Sequence, residues 1–224
     1  MDDAPADDLD ALIRRVDPDR WTSSRFIADA PARADVVALY AFDHELARAP
    51  RVTSNPLLGE IRLTWWGEVL DEIFEGRAVR QHPTAQALAE AIRHRGLPRE
   101  PLEAMIEARY RELDPSPMDA KAALAWARDS GGRAAEVAAM VLAPGADAAA
   151  ARAAGSAWAL GRRAAAEPVL EPTFRAALAG ARKAVRGLDA RAFPAVAHAA
   201  LAGRGGGELS RRWRITWAVL RGRI

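Results

Sequence analysis

Cysteine does not occur in this chain, which excludes disulfides, thiolate-bound zinc and thiol nucleophiles together. Lysine is nearly missing as well: only Lys121 and Lys183 occur, so all but two of the 32 basic residues are arginine. An excess of one charge is also lacking. Thirty acidic residues leave a formal charge of +2, and acids and bases are interleaved. No basic stripe forms, which argues against nucleic acid as a partner. Apolar runs stay short of the ~18 residues that would span a bilayer. The first ten residues, MDDAPADDLD, are acidic and lack the apolar core of a signal peptide or the arginines of a transit peptide. A cytoplasmic protein is expected. β-Branched residues are sparse and no stretch alternates with period two, so there is no sheet signal.

What is present is helical punctuation. Half of the 224 residues are hydrophobic, aromatics make up only 6%, and seven of those are Trp. Packing therefore rests on Ala, Leu and Val, and Ala favours helix throughout. Leu9, Leu12, Ile13 and Val16 form an i, i+3, i+4, i+7 stripe. Pro31 and Asn55-Pro56 mark helix starts, while Gly76 and Gly96 mark stops. Helices are expected over 34–47, 57–75, 84–95, 98–113, 146–166, 173–186 and 189–202. Asp119 caps a further helix, which Gly131-Gly132 interrupts or packs closely. The expectation is a single all-α domain over 1–202, a Gly-rich linker at 203–208 and a basic amphipathic helix over 209–224.

Asp43-His44-Glu45 puts three potential metal ligands side by side. Neighbours on a helix diverge by ~100°, so Asp43 and Glu45 point apart and cannot share an ion. A His-Glu-x-x-His site needs a ligand four residues beyond the histidine, and that position is Arg48. A polar helix face with local arginine bonds is the plainer reading. Glu68, Asp71, Glu72 and Glu75 do share a face, but without a second acidic helix they read as a solvated surface. His82, His94 and His198 are isolated, Ser23-Ser24 has no partnered histidine, and GRGGG lacks the context of a P-loop. No catalytic residue and no metal ligand is assigned.

The run ALYAFDHELARAP, followed by LLGEIRLTWWGEVLDEIFEGRAVRQHPTAQALAEAI, resembles the squalene and phytoene synthase family. The resemblance is specific over 36–100. It implies a helical bundle of the isoprenoid synthase type, with a cleft between the 34–47, 57–75 and 147–166 helices. It also implies head-to-head joining of prenyl diphosphates with magnesium held by aspartates. Those aspartates fall on Ala47, Arg48 and Arg51, where arginine would repel the metal. A second acidic motif is expected in AGSAWALGRRAAAEPVLE, yet no carboxylate stands between Asp147 and Glu167. The run also resembles a branch of the family, related to a mitochondrial complex I assembly factor, that lacks the aspartates.

Two readings from different classes follow. The first is a catalytically inactive member assisting assembly of respiratory complex I, with complex I subunits or assembly factors as partners and no cofactor. The second is an active prenyltransferase with magnesium. Arg48, Arg51 and Arg62 are candidates for holding an anion such as an anionic lipid or a prenyl diphosphate. Tyr40, Asp43, His44, Ala47 and Trp65 are candidates for lining the cleft. In the tail, Trp213, Trp217, Leu220 and Ile224 fall on one helical stripe, with Arg214 and Arg221 beside it. That stripe suits peripheral contact with the inner membrane or a partner, or docking on the core; the linker permits either.

Overall fold

The structure, a computed structural model, describes residues 4–51, 55–145 and 147–224. Among these residues there are helices and turns but no strand. The chain begins with α1 (Ala4–Val16) and α2 (Pro18–Ser24). Asp17 caps α2, its carboxylate accepting from the amide of Arg20 at 3.2 Å. α3 (Ala30–Arg48) starts under an Asp29 cap with Pro31 in its first turn, the position where proline sacrifices no hydrogen bond. Every residue from Asp35 to Asp43 is buried. A helix covered on all sides is the centre of a bundle, and α1, α5 (Pro83–Arg95) and α8 (Arg133–Leu142) pack around α3.

α4 (Pro56–Phe74) is capped by Asn55 and packs on α6 (Arg99–Tyr110). Its tandem tryptophans divide as adjacent helical positions must. Trp66 is buried edge-to-face on Phe42, with ring centres 5.3 Å apart, and Trp65 sits nearer the surface beneath Arg80. The acidic face of α4 is matched by arginine: Glu72 and Glu68 bind Arg80 at 2.6 and 3.1 Å, Asp71 binds Arg99 at 2.5 Å, and Glu75 binds Arg77 at 2.7 Å.

α7 (Ala120–Ala127) runs through a single π-helical turn, Arg128–Gly132, into α8. Both glycines of this turn lie against α9 (Ala148–Ala164). A Cβ on Gly155 of α9 would collide with the carbonyl oxygen of Gly131 and with Ala135. The two backbones approach closely because neither carries a side chain there. α10 (Glu171–Ala184) packs along α9.

The helix expected over 189–202 is not α-helical. It forms two 3-10 turns, Phe193–Ala195 and Ala197–Leu201, because Pro194 cannot donate in a helix interior and its ring disfavours a helical predecessor. The tail, α11 (Glu208–Arg221), ends at Gly222, whose φ of 59° is left-handed. It docks on α2 and the second 3-10 turn through Ile215 and Ala218, and Arg211 forms a bidentate ion pair with Asp19. The Trp213–Trp217–Leu220 stripe is not the docked face: Trp213 is 61% and Leu220 70% exposed.

Candidate functional site

A cleft of about 500 Å³ opens between α2, α3, α6, the π turn and α9. α3 contributes Tyr40, Asp43, His44 and Ala47, a set spaced three, one and three residues apart. With 3.6 residues per turn, such spacing puts all four on one flank of the helix. α4 contributes nothing to this lining, in contrast to the expected cleft walls. α2, α6 and the π turn take its place.

Asp43 lies at the floor between two guanidinium groups. Arg20 Nη1 donates to Asp43 Oδ2 at 2.5 Å, and Arg109 Nη2 donates to Oδ1 at 2.7 Å. Arg109 also binds Glu112 at 2.6 Å, and Trp126 Nε1–H donates to the same Glu112 oxygen at 2.9 Å. Burial alone would raise the Asp43 carboxyl, but the two arginines overcome it and hold the group well below the usual carboxylate range. Both carboxylate oxygens are thus engaged by fixed cations. Asp17 differs: burial raises its carboxyl, opposed by Arg20 and by Arg162, which stand 3.9 and 3.8 Å away.

Behind this floor lies an aromatic stack. The Arg20 guanidinium sits 4.4 Å from the Trp158 ring centre and 5.0 Å from that of Tyr40. His198 packs edge-on to both rings, at 4.9 and 6.4 Å. Among the described residues, neither His198 nitrogen nor the Tyr40 hydroxyl has a hydrogen-bond partner. Burial, reinforced by Arg20 and Arg162, pushes His198 far below its ordinary range and keeps it neutral. Burial raises the Tyr40 hydroxyl well above its usual value.

The mouth carries more arginine. Arg51 approaches Glu112 only at 3.9 Å, and Arg162 lies over Trp158 at 4.8 Å. Arg163 pairs with Glu167 at 2.9 Å. Arg51 and Arg162 therefore face one cavity from α3's end and from α9, and among the described residues neither is clamped by a close carboxylate. Magnesium requires carboxylate oxygens that are not already neutralised. Of the lining carboxylates, Asp43 and Glu167 are tied to arginines and Asp17 lies between two more. No group of three or more potential ligands among the described residues could hold a metal. This donor set does not fit the ion.

Of the residues read from the sequence, Tyr40, Asp43, His44, Ala47 and Arg51 are brought together here. Arg48 is not: its guanidinium turns away to Glu45 at 2.8 Å on the exposed side of α3. Arg62 is exposed on α4, and Trp65 packs with His82 and Arg80 away from the lining. Arg20 and Arg109 escaped sequence reading because they lie 23 and 66 residues from Asp43. Arg162 and Arg163 did carry a signal, a basic pair standing where acids were sought.

The fold has known counterparts. The chain superimposes on a crystal structure of a dehydrosqualene synthase in complex with ligand with a TM-score of 0.74. The identity is 12%, and 96% of this chain and 95% of that one are covered. It superimposes on squalene synthase HpnC from Alicyclobacillus acidocaldarius with a TM-score of 0.70 and 14% identity, over 97% and 94% of the two chains. A curated relative is the NADH dehydrogenase (ubiquinone) complex I assembly factor 6 of Bos taurus. It is 30% identical over 103 residues, which is 46% of this chain but only 30% of that protein's length. The squalene/phytoene synthase family matches residues 13–163, more than half of the sequence. This chain belongs to the squalene/phytoene synthase family.

Proposed function

We propose that this protein is a non-catalytic member of its family that assists assembly of respiratory complex I, and that its cleft holds an anionic head group without magnesium. The observation that carries the reading is the arginine lining. Arg20 and Arg109 occupy the one carboxylate on the floor, and Arg51 and Arg162 stand at the mouth where the family resemblance calls for metal-holding acids. Diphosphate ionisation depends on cations that bridge the leaving group. Arginines bind such a group, but they do not replace the metal's Lewis acidity. Guanidinium groups also suit phosphate or carboxylate oxygens geometrically and keep their charge. The head group is that of an anionic lipid or an unreacted prenyl diphosphate. Similarity to the Bos taurus assembly factor supports the assembly role.

Two experiments test this. Purified protein with magnesium and farnesyl or geranylgeranyl diphosphate is expected to release no pyrophosphate; sustained release would establish the prenyltransferase reading instead. Deleting the gene is expected to lower the amount of assembled NADH:quinone oxidoreductase in membranes, with the other respiratory complexes unchanged. Normal levels of that enzyme would remove the assembly role.

A further inference from the structure

Among the described residues, nothing covers the face of α11 turned away from the protein. With ~100° per residue, Leu209, Trp213, Trp217 and Leu220 fall within about 80° of arc. Ile215 and Ala218, which dock the helix, lie on the opposite side. The four outward residues are 76%, 61%, 46% and 70% exposed. The two indoles stack on each other with centres 6.1 Å apart, and Arg221 lies over Trp217 at 4.5 Å. Arginine flanks the stripe on both sides: Arg214 and Arg221 on one, Arg212 on the other, with Arg223 just beyond the helix. Glu208 is the only acid from position 208 onward, and it is 3.7 Å from Arg212.

We propose that this face is a membrane-docking surface for a bilayer carrying anionic phospholipid, with α11 lying in the plane of the interface. An indole belongs at the boundary between headgroups and acyl chains, and an apolar stripe edged by arginine is the pattern that binds there. The arginines would meet lipid phosphates. A second copy of the chain is a poor occupant. Pairing two such stripes about a two-fold axis would bring arginine rows together with one glutamate per copy to offset them. The protein's own core is not the occupant either, because Ile215, Ala218 and the Arg211–Asp19 pair already fix the other face. The docked helix also stands beside the cleft: Arg211 lines a groove with Asp17, Trp158 and Arg162, residues that line the cleft as well. The inference rests on α11 alone and does not require the cleft to bind anything.

The test is flotation of the full chain with vesicles of phosphatidylcholine, and of phosphatidylcholine with phosphatidylglycerol, at low and high salt. Binding to the anionic vesicles at low salt is expected, weakening as salt screens the arginines. Trp213→Ser combined with Trp217→Ser should lower that affinity by about tenfold or more. Arg212→Gln combined with Arg221→Gln should cost about fivefold for each arginine. Because all four side chains point outward, circular dichroism and melting should match the parent. Wild-type protein that stays unbound, or a Trp variant that floats as well as the parent, would overturn the proposal. So would a dimer in sedimentation analysis that the Trp variant abolishes, since the stripe would then be a contact between copies.

Discussion

Asp43 is a buried carboxylate with both oxygens held by arginine, Oδ2 by Arg20 and Oδ1 by Arg109. It pairs with two arginines that are themselves almost fully buried, and Glu112 supplies the second negative charge beside Arg109. Removing one partner of such a network leaves uncompensated buried charge. Asp43→Ala is therefore expected to destabilise the protein by about 3–5 kcal/mol, read from urea unfolding. His198 provides the pH dependence. Its folded-state pKa lies well below 6.5, so below about pH 6.5 the unfolded chain takes up a proton that the folded protein refuses. Stability from this group is complete above that pH and falls as the solution is acidified, by up to about 1.4 kcal/mol per pH unit. Arg20 and Arg162 are the charges facing it, while Tyr40 and Trp158 supply its apolar walls. His198→Leu should flatten the slope of stability between pH 7 and 5. An unchanged slope would assign the acid sensitivity elsewhere.

At the scale of elements, the junction between α9 and the π turn sets how closely two helices approach, and thereby how wide the cleft is. Ser130 and Gly131 of the turn and Trp158 of α9 face the same cavity. Gly155→Val forces these backbones apart and should cost about 1–3 kcal/mol, the usual range for overfilling a close-packed site. Gly180, on the outer side of α10, has open space around its Cβ position. Gly180→Ala should instead stabilise by roughly 0.5–1 kcal/mol, since it lowers the entropy of the unfolded chain without a clash. Thermal melting of the two variants separates crowding from a general intolerance of side chains at helix glycines. Equal losses in both would contradict the close-approach account.

For the whole molecule, the charge pattern of the cleft predicts ligand preference. Pyrophosphate without metal should raise the melting temperature in a saturable way, because a ligand that binds the native state stabilises it. Arg51→Ala combined with Arg162→Ala should abolish the effect. Neither arginine makes a close ion pair, so the double variant should itself fold normally. Millimolar magnesium alone should leave the melting temperature unchanged. A saturable rise with magnesium would mean that a carboxylate of the cleft is released from its arginine to bind the ion.

The sequence by itself determined the all-α class and most helix limits. Those signals are local: a proline in a first turn, an aspartate one residue before it, a glycine at a left-handed stop. It also determined that Asp43 and Glu45 diverge, because register along one helix needs no tertiary information. Pro194 was a local signal too, and it outweighs the alanine-rich surroundings that suggest a helix over 189–202. Only the tertiary structure decided which arginines matter. Arg48 and Arg51 look equivalent three residues apart, yet the helix ends at Arg48, so one points along the surface to Glu45 and the other into the cleft. Arg20 and Arg109 reach Asp43 across long stretches of chain, and no spacing rule connects them. The orientation of α11 was likewise undecided, since both faces of that helix carry apolar residues. Packing chose Ile215 and Ala218, whose smaller bulk lets the helix lie close, and left the two tryptophans facing outward.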